Sequence, residues 1–225
     1  MPTTIHQTII RFPEIQLATR DSHKLRGYFG NLFKEQSPLL HNHLESGEQL
    51  YQYPMVQYKV LQGVPTLVGL NKGAELLIQL FLNIKNLVID SKSYPVLQKN
   101  IESRQVTIGL SNDLHAYRFE TLWMALNQQN YATYMQEDAA QQSHHLKRVL
   151  IGNILSFYKA MDLRVPDTIM ANLQVSAQKE TGFKNNTMLA FEATFVTNAL
   201  LPSFIGLGKS VSRGFGTIRL QESGY

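Results

Sequence analysis

Cysteine is absent from the 225-residue chain. That excludes a disulfide framework, a zinc–thiolate site, an iron–sulfur site and a cysteine nucleophile. Charge is sparse, with Asp, Glu, Lys and Arg at 17%, while 44% of residues are hydrophobic. This balance argues against a disordered or coiled-coil chain and supplies the material for a core. Long apolar runs are missing too. The longest apolar segment, Ala74 to Leu87, is interrupted by Glu75, Gln79, Asn83, Lys85 and Asn86. It falls short of the roughly 18 uninterrupted apolar residues of a membrane span. Met1 to Arg11 is polar and mixed, without the basic and then apolar regions of a secretory signal. A soluble, cytoplasmic protein is expected, built as one large domain or two small ones at roughly 100–200 residues per domain. Lys and Arg total 21 against 17 Asp and Glu, giving +4 and a pI near 9.2. A basic pI is compatible with a polyanionic partner without requiring one.

The patterning mixes short strands with a few helices. Thr3 to Phe12 alternates and is rich in Thr and Ile, which predicts a strand. Ser22 can cap a helix starting at His23, whose apolar face is Leu25, Phe29, Leu32 and Phe33. Pro54 to Leu61 and Val64 to Leu70 are strand-like, and the Gln62-Gly63 pair between them suits a hairpin turn. Ala74 to Leu82 predicts a second helix and Leu87 to Asp90 a further strand. The order β, α, β, β, α, β is the split βαβ, or ferredoxin-like, unit. The second half repeats the theme loosely. Strands are predicted at Val106 to Leu110, Leu114 to Thr121, Thr168 to Gln178, Thr187 to Asn198 and 215–220, with a turn at Gly182. The stripe Leu146, Leu150, Ile154, Phe157, Met161 predicts a helix, and Asn127 to Gln142 a loop or a solvated helix. A soft boundary falls at Ser91 to Arg104. The expected architecture is α+β: two tandem ferredoxin-like (RRM-like) domains, residues 1–95 and 105–225.

The most unusual local feature is the segment Gly206 to Gly216, which holds Gly206, Gly208, Gly214 and Gly216 together with Lys209, Ser210, Ser212 and Arg213. Backbone N–H groups, hydroxyls and cations in one loop suit phosphates. The segment is not a Walker loop, which needs Gly where Ser203 stands. Nor is it GxGxxG, which needs Gly where Val211 stands. A plain glycine-rich β connection is the alternative. A second feature is His41-Asn42-His43, two of the seven histidines one residue apart. Imidazole titrates near neutral pH and suits acid–base chemistry. His-x-His can also bind metal, with Glu45 and Glu48 near in sequence, but no ligand-spacing template fits. A loop pair that satisfies backbone groups is the structural alternative. Basic stretches lie on the first helix, at His23, Lys24, Arg26 and Lys34, and at His144-His145-Leu146-Lys147-Arg148. Charge on a helix is usually a solvated face. His115 sits on a strand signal and reads as structural.

Several of these pieces together resemble one family. Leu25-Arg26-Gly27-Tyr28-Phe29-Gly30-Asn31-Leu32-Phe33 is followed by His41-Asn42-His43, then Tyr53-Pro54-Met55-Val56-Gln57-Tyr58-Lys59-Val60, then Pro65-Thr66-Leu67-Val68-Gly69-Leu70. This order resembles the N-terminal part of the CRISPR-associated endoribonuclease that processes repeat RNA, the Cas-six family of the RAMP superfamily. Gly206 to Gly216 is similar to the glycine-rich loop that marks that superfamily, while Ser91 to Val165 contributes little to the likeness.

The resemblance implies two ferredoxin-like domains and a metal-independent endoribonuclease. No cofactor is expected, and CRISPR repeat RNA would be the partner, with other CRISPR effector subunits as further candidates. The implied chemistry is attack of a ribose 2′-OH on the adjacent phosphate, which leaves a 2′,3′-cyclic phosphate and a 5′-OH. DNA, lacking that hydroxyl, would be spared. The matching positions are His41 as general base, His43 as second histidine and acid, and Lys34 as the charge-stabilising cation. RNA contacts are implied for Gly206, Gly208, Lys209, Ser210, Arg213, Gly214 and Gly216, with Lys24 and Arg26 lining the cleft. A net charge of +4 is modest for gripping RNA, so a local basic patch would have to carry binding. The alternative is a catalytically silent RAMP-type RNA-binding subunit of a CRISPR complex, which would not need the His41/His43 pair.

Overall fold

The computed structural model describes residues 2–32, 53–183 and 186–221. The chain divides into two units. One is formed by Thr4–Val106 with the tripeptide Ser212–Gly214, the other by Thr107–Val211 with the stretch from Phe215 onward.

The N-terminal unit begins with β1 (Thr3–Arg11), α1 (Ser22–Leu32), β2 (Val56–Leu61), β3 (Val64–Leu70) and α2 (Lys72–Leu80). The Gln62-Gly63 turn has φ of 51° and 85°. Two positive φ angles match the right-handed twist of the paired strands, and glycine is suited to the second position. β2 pairs with β3 and β3 with β1, both antiparallel. Alternation sends Tyr58, Val60, Leu67 and Ile10 to one face of this sheet. There they form a core with Leu25 and Phe29 of α1 and Leu77 and Leu80 of α2. Phe29 stacks on Tyr58 at 5.8 Å and on Phe12 at 6.4 Å.

Leu87 to Asp90 does not close this sheet as the sequence suggests. β4 (Asn86–Ile89) pairs with β5 (Lys92–Pro95) in a separate two-stranded sheet. Asp90 and Ser91 between them have φ of 49° and 65°. This is hairpin geometry that Asp tolerates without glycine, and the local turn wins over the long-range pairing. The place beside β1 is taken by β6 (Asn100–Phe119), giving the order β2-β3-β1-β6. His6 Nε2 and Thr8 Oγ1 lie 2.7 and 2.9 Å from Ser103 Oγ, and Arg11 pairs with Glu102 at 3.2 Å. The stretch Ser91 to Arg104 thus holds β5 and the first residues of β6.

The two strands predicted at Val106 to Leu110 and Leu114 to Thr121 are both parts of β6. Its register against β8 shifts between Leu110 and His115, where the polar Ser111-Asn112-Asp113 run breaks the alternation. The C-terminal unit continues with α3 (Gln128–Tyr134), α4 (Ala139–Ala160), β7 (Ala171–Phe183), β8 (Asn186–Leu200) and β9 (Ile218–Leu220). The Gln-rich stretch is helical because two side chains cap it. Asn127 accepts from the Asn130 amide at 2.7 Å, and Asp138 accepts from the Ala140 and Gln141 amides at 2.9 Å each. Gln141 completes a capping box with Asp138. Gly182 is not the turn but a paired residue of β7, opposite Thr187. The strand order is β6-β8-β7, with β9 on the other side of β6. Leu146, Leu150, Ile154 and Phe157 of α4 are buried, as the stripe predicts. Trp123 stacks on Phe119 at 5.1 Å and lies 6.0 Å from Phe191.

The two units differ in how the chain enters the last strand of the four. Between β8 and β9, where a βαββαβ unit carries its second helix, the chain instead runs through the glycine-rich segment. It contains only a 3-10 turn at Val211–Arg213.

Candidate functional site

Ser22 opens α1, and its hydroxyl donates to the Thr19 carbonyl at 2.7 Å. Leu25 and Phe29 anchor one face of the helix, and Arg26 lies half-buried beside that face. Burial pushes the Arg26 guanidinium below its ordinary value. Arg213 pushes it further down, while the Tyr58 phenol opposes. Two guanidinium groups of the same unit therefore raise each other's electrostatic potential in a partly desolvated place, which favours a bound anion.

Gly214 makes this arrangement possible. Its φ is +88°, and a Cβ there would meet Ser22 Oγ at 2.7 Å and the Tyr58 carbonyl oxygen at 3.2 Å. Only glycine lets the Ser212–Gly214 backbone come this close to the start of α1 and to β2.

The other glycines of the segment serve packing within the C-terminal unit. A Cβ on Gly208 would meet Trp123 Nε1 at 2.7 Å, and one on Gly206 would meet Val211 Cγ1 at 2.5 Å. At Gly216, φ is +63° and a Cβ would fall 1.9 Å from the Leu207 carbonyl oxygen. Backbone hydrogen bonds fasten the same stretch: Lys209 N to Met124 O, Gly216 N to Leu122 O and Leu207 N to Gly216 O, each 2.9 Å. The segment is a closely fitted connection. The Lys209 side chain stands exposed from it, and Ser210 is half-buried with φ of 57°.

Lys24 is held in ion pairs with Asp21, at 2.7 Å, and with Asp90. These carboxylates raise its pKa above the ordinary lysine value. Lys34, His41 and His43 lie outside the described residues, as do Glu45 and Glu48. His115 is on β6, and its Nε2 is buried with no hydrogen-bond partner among the described residues. Of the second basic stretch, His145 Nδ1 lies 2.9 Å from Glu137, whereas Lys147 and Arg148 are exposed on α4.

Sequence reasoning missed Lys59 as a special position. It is fully buried on β2, and burial lowers its ammonium to about 7. By alternation it shares the face of the sheet opposite Tyr58 with Gln57 and with Thr66 of β3, both buried. Alternation with Val56, Tyr58 and Val60 reads Lys59 as an outward residue of the strand, so no local signal in the sequence marks its burial. The Arg26–Arg213 proximity had no local signal, since the two residues come from opposite ends of the chain.

Fold and residues together define an α+β protein of two ferredoxin-like domains carrying a glycine-rich loop with embedded cations. The Cas6b N-terminal domain matches residues 3–107 and the Cas6b C-terminal domain matches residues 109–221, so the chain belongs to the Cas6b family. It is similar to a crystal structure of Cas6b, with TM-score 0.91 and 32% identity over 97% of this chain and 100% of that one. A crystal structure of the CRISPR RNA processing endoribonuclease Cas6b matches with TM-score 0.79 and 29% identity, again over 97% and 100% of the two chains. An uncharacterized protein of Methanocaldococcus jannaschii is 31% identical over 145 residues, 64% of this chain and 99% of that protein.

Proposed function

We infer that this protein is a metal-independent endoribonuclease that cuts CRISPR repeat RNA and releases guide RNAs. The observation that carries this reading is membership of the Cas6b family across both domains, together with 29% identity to a structure described as a CRISPR RNA processing endoribonuclease. No helix among the described residues is long and apolar enough to cross a membrane, which suits work on transcripts in the cytoplasm.

In this mechanism His41 takes the proton from the ribose 2′-OH beside the scissile phosphate. The oxygen attacks phosphorus, the P–O5′ bond breaks, and His43 returns a proton to the leaving 5′-oxygen. The products are a 2′,3′-cyclic phosphate and a 5′-OH. Positioned acid–base transfer contributes roughly 10²–10⁴-fold. Lys34 opposes the charge that grows on the phosphorane. Arg26 and Arg213 hold a backbone phosphate, and Lys209 and Ser210 are further RNA contacts. Gly214 acts by letting Arg213 approach α1, and Gly206, Gly208 and Gly216 act by holding the loop's shape. Lys24, already paired with Asp21 and Asp90, contributes less to RNA than the two arginines.

The test is cleavage of labelled repeat RNA in excess EDTA by the wild type, His41→Ala, His43→Ala and Lys34→Ala. A single cut by the wild type and at least about 10²-fold slower cutting by a histidine variant fit the proposal. Tight binding without any cut by the wild type would instead assign a silent RNA-binding subunit. Cutting that stops in EDTA would assign metal-dependent chemistry.

A further inference from the structure

α4 is a 22-residue helix without a single acidic side chain. Its buried stripe is Leu146, Leu150, Ile154 and Phe157. At 3.6 residues per turn the opposite stripe is His144, Arg148, Gly152, Leu155 and Lys159, with Lys147 at its margin. All six are exposed. Elsewhere in the same unit, Arg118 and Arg219 share Glu120 and Lys179 pairs with Glu192, whereas the exposed Arg164 and Lys209 stand singly, away from any cluster of cations. Lys147, Arg148 and Lys159 have no carboxylate within ion-pair distance among the described residues. The charge of this face is thus left uncompensated along about three turns of helix.

Gly152 is a second, independent observation. Glycine inside a helix is unfavourable relative to alanine. Here packing does not require it, because a Cβ at Gly152 would meet nothing within 4 Å. A bare patch of backbone between Arg148 and Lys159 leaves room for a bulky partner to come close to the helix axis.

We propose that the outer face of α4, through Lys147, Arg148 and Lys159 around Gly152, is a second binding surface for the RNA sugar–phosphate backbone. It reads no sequence and adds to the chain's affinity for RNA. RNA is favoured over a protein partner because the face offers cations and no acceptor carboxylates. The proposal rests on the reading of this protein as an RNA-processing enzyme.

The test uses the full chain and a labelled repeat RNA made uncleavable by a 2′-deoxy nucleotide at the cut site. Binding is measured from low to moderate salt for the wild type, for the triple variant Lys147→Gln, Arg148→Gln, Lys159→Gln, and for Gly152→Glu. Circular dichroism and melting confirm that the variants fold. Loss of three phosphate contacts should flatten the log–log salt dependence by about two to three. Gly152→Glu, which leaves every cation in place, should weaken binding through repulsion. Cleavage of unmodified RNA at saturating concentration should keep its rate. Affinity and salt slope equal to wild type in both variants would overturn the proposal. So would a changed sedimentation coefficient with RNA affinity intact, which would assign the face to a second copy of the chain. If the wild type binds no repeat RNA at all, it is the enzymatic reading itself that falls.

Discussion

The two units take the same four-strand order but cover it differently. The N-terminal unit spends two helices on its sheet, and its core is a set of large side chains around Phe29, Tyr58 and Leu77. The C-terminal unit has one long helix, α4, and replaces the second with a fitted stretch of backbone running through Gly206, Gly208 and Gly216. Where a helix packs, side-chain volume determines stability. Where a glycine segment packs, the absence of a side chain does. That difference explains how one loop can be both rigid and close to its surroundings. The bare backbone fits under Trp123 and beside Met124, while Lys209 is left exposed at the surface.

Truncation should separate the two kinds of packing. Phe29→Ala removes a ring that contacts Phe12, Tyr28 and Tyr58. It should cost about 3–5 kcal/mol, read by chemical denaturation, with RNA binding surviving wherever the variant is folded. Addition should do the same damage on the other side. Gly216→Ala places a methyl group at a position of φ +63° and against the Leu207 carbonyl, at a cost of about 2–3 kcal/mol. Gly182→Ala is its control. There a Cβ meets nothing within 4 Å, so stability should hold or rise slightly. Equal losses at Gly182 and Gly216 would break the comparison.

A smaller effect concerns pH. Burial lowers Lys59 to about 7 in the folded protein, against 10.5 in an ordinary lysine. Between these values the unfolded chain binds more protons than the folded one, so stability rises with pH across the interval. Lys59→Met should flatten that rise in denaturation profiles taken from pH 7 to 10. An unaltered slope would show that Lys59 is not the group responsible. The smallest effect is on a cap. Asp138→Ala removes the acceptor for the Ala140 and Gln141 amides and should cost about 1 kcal/mol, seen as a modest drop in melting temperature.

Much of the N-terminal unit was legible in the sequence. Alternation located β1, β2 and β3, the Gln62-Gly63 pair located the hairpin between the last two, and helical spacing located α1 and α2. In the second half the α4 stripe was equally plain. Pairing partners were not legible, because periodicity carries no information on which strands meet. Asp90-Ser91 closed a local hairpin and removed β4 from the main sheet, and a strand that begins within the expected boundary took its place. The polar break at Ser111 to Asp113 looked like the end of one strand and is an irregularity within β6. The glycine segment stood out, but its division of labour did not. Gly214 differs from Gly216 only in what lies beside it. Arg26 and Arg213 were separate candidates on the sequence, and only folding brings them into electrostatic reach. Lys34, His41 and His43 rest on the family resemblance and on the residue types alone.

The ends of the cleaved RNA report the chemistry of the cut. Two repeat RNAs that differ only in a 2′-deoxy nucleotide at the scissile position would be incubated with the wild type in EDTA, and the product ends examined by mass spectrometry. Both RNAs should bind, only the all-ribose RNA should be cut, and its fragments should end in a 2′,3′-cyclic phosphate and a 5′-OH. Cutting of the deoxy RNA, or a 5′-phosphate on the product, would contradict this mechanism.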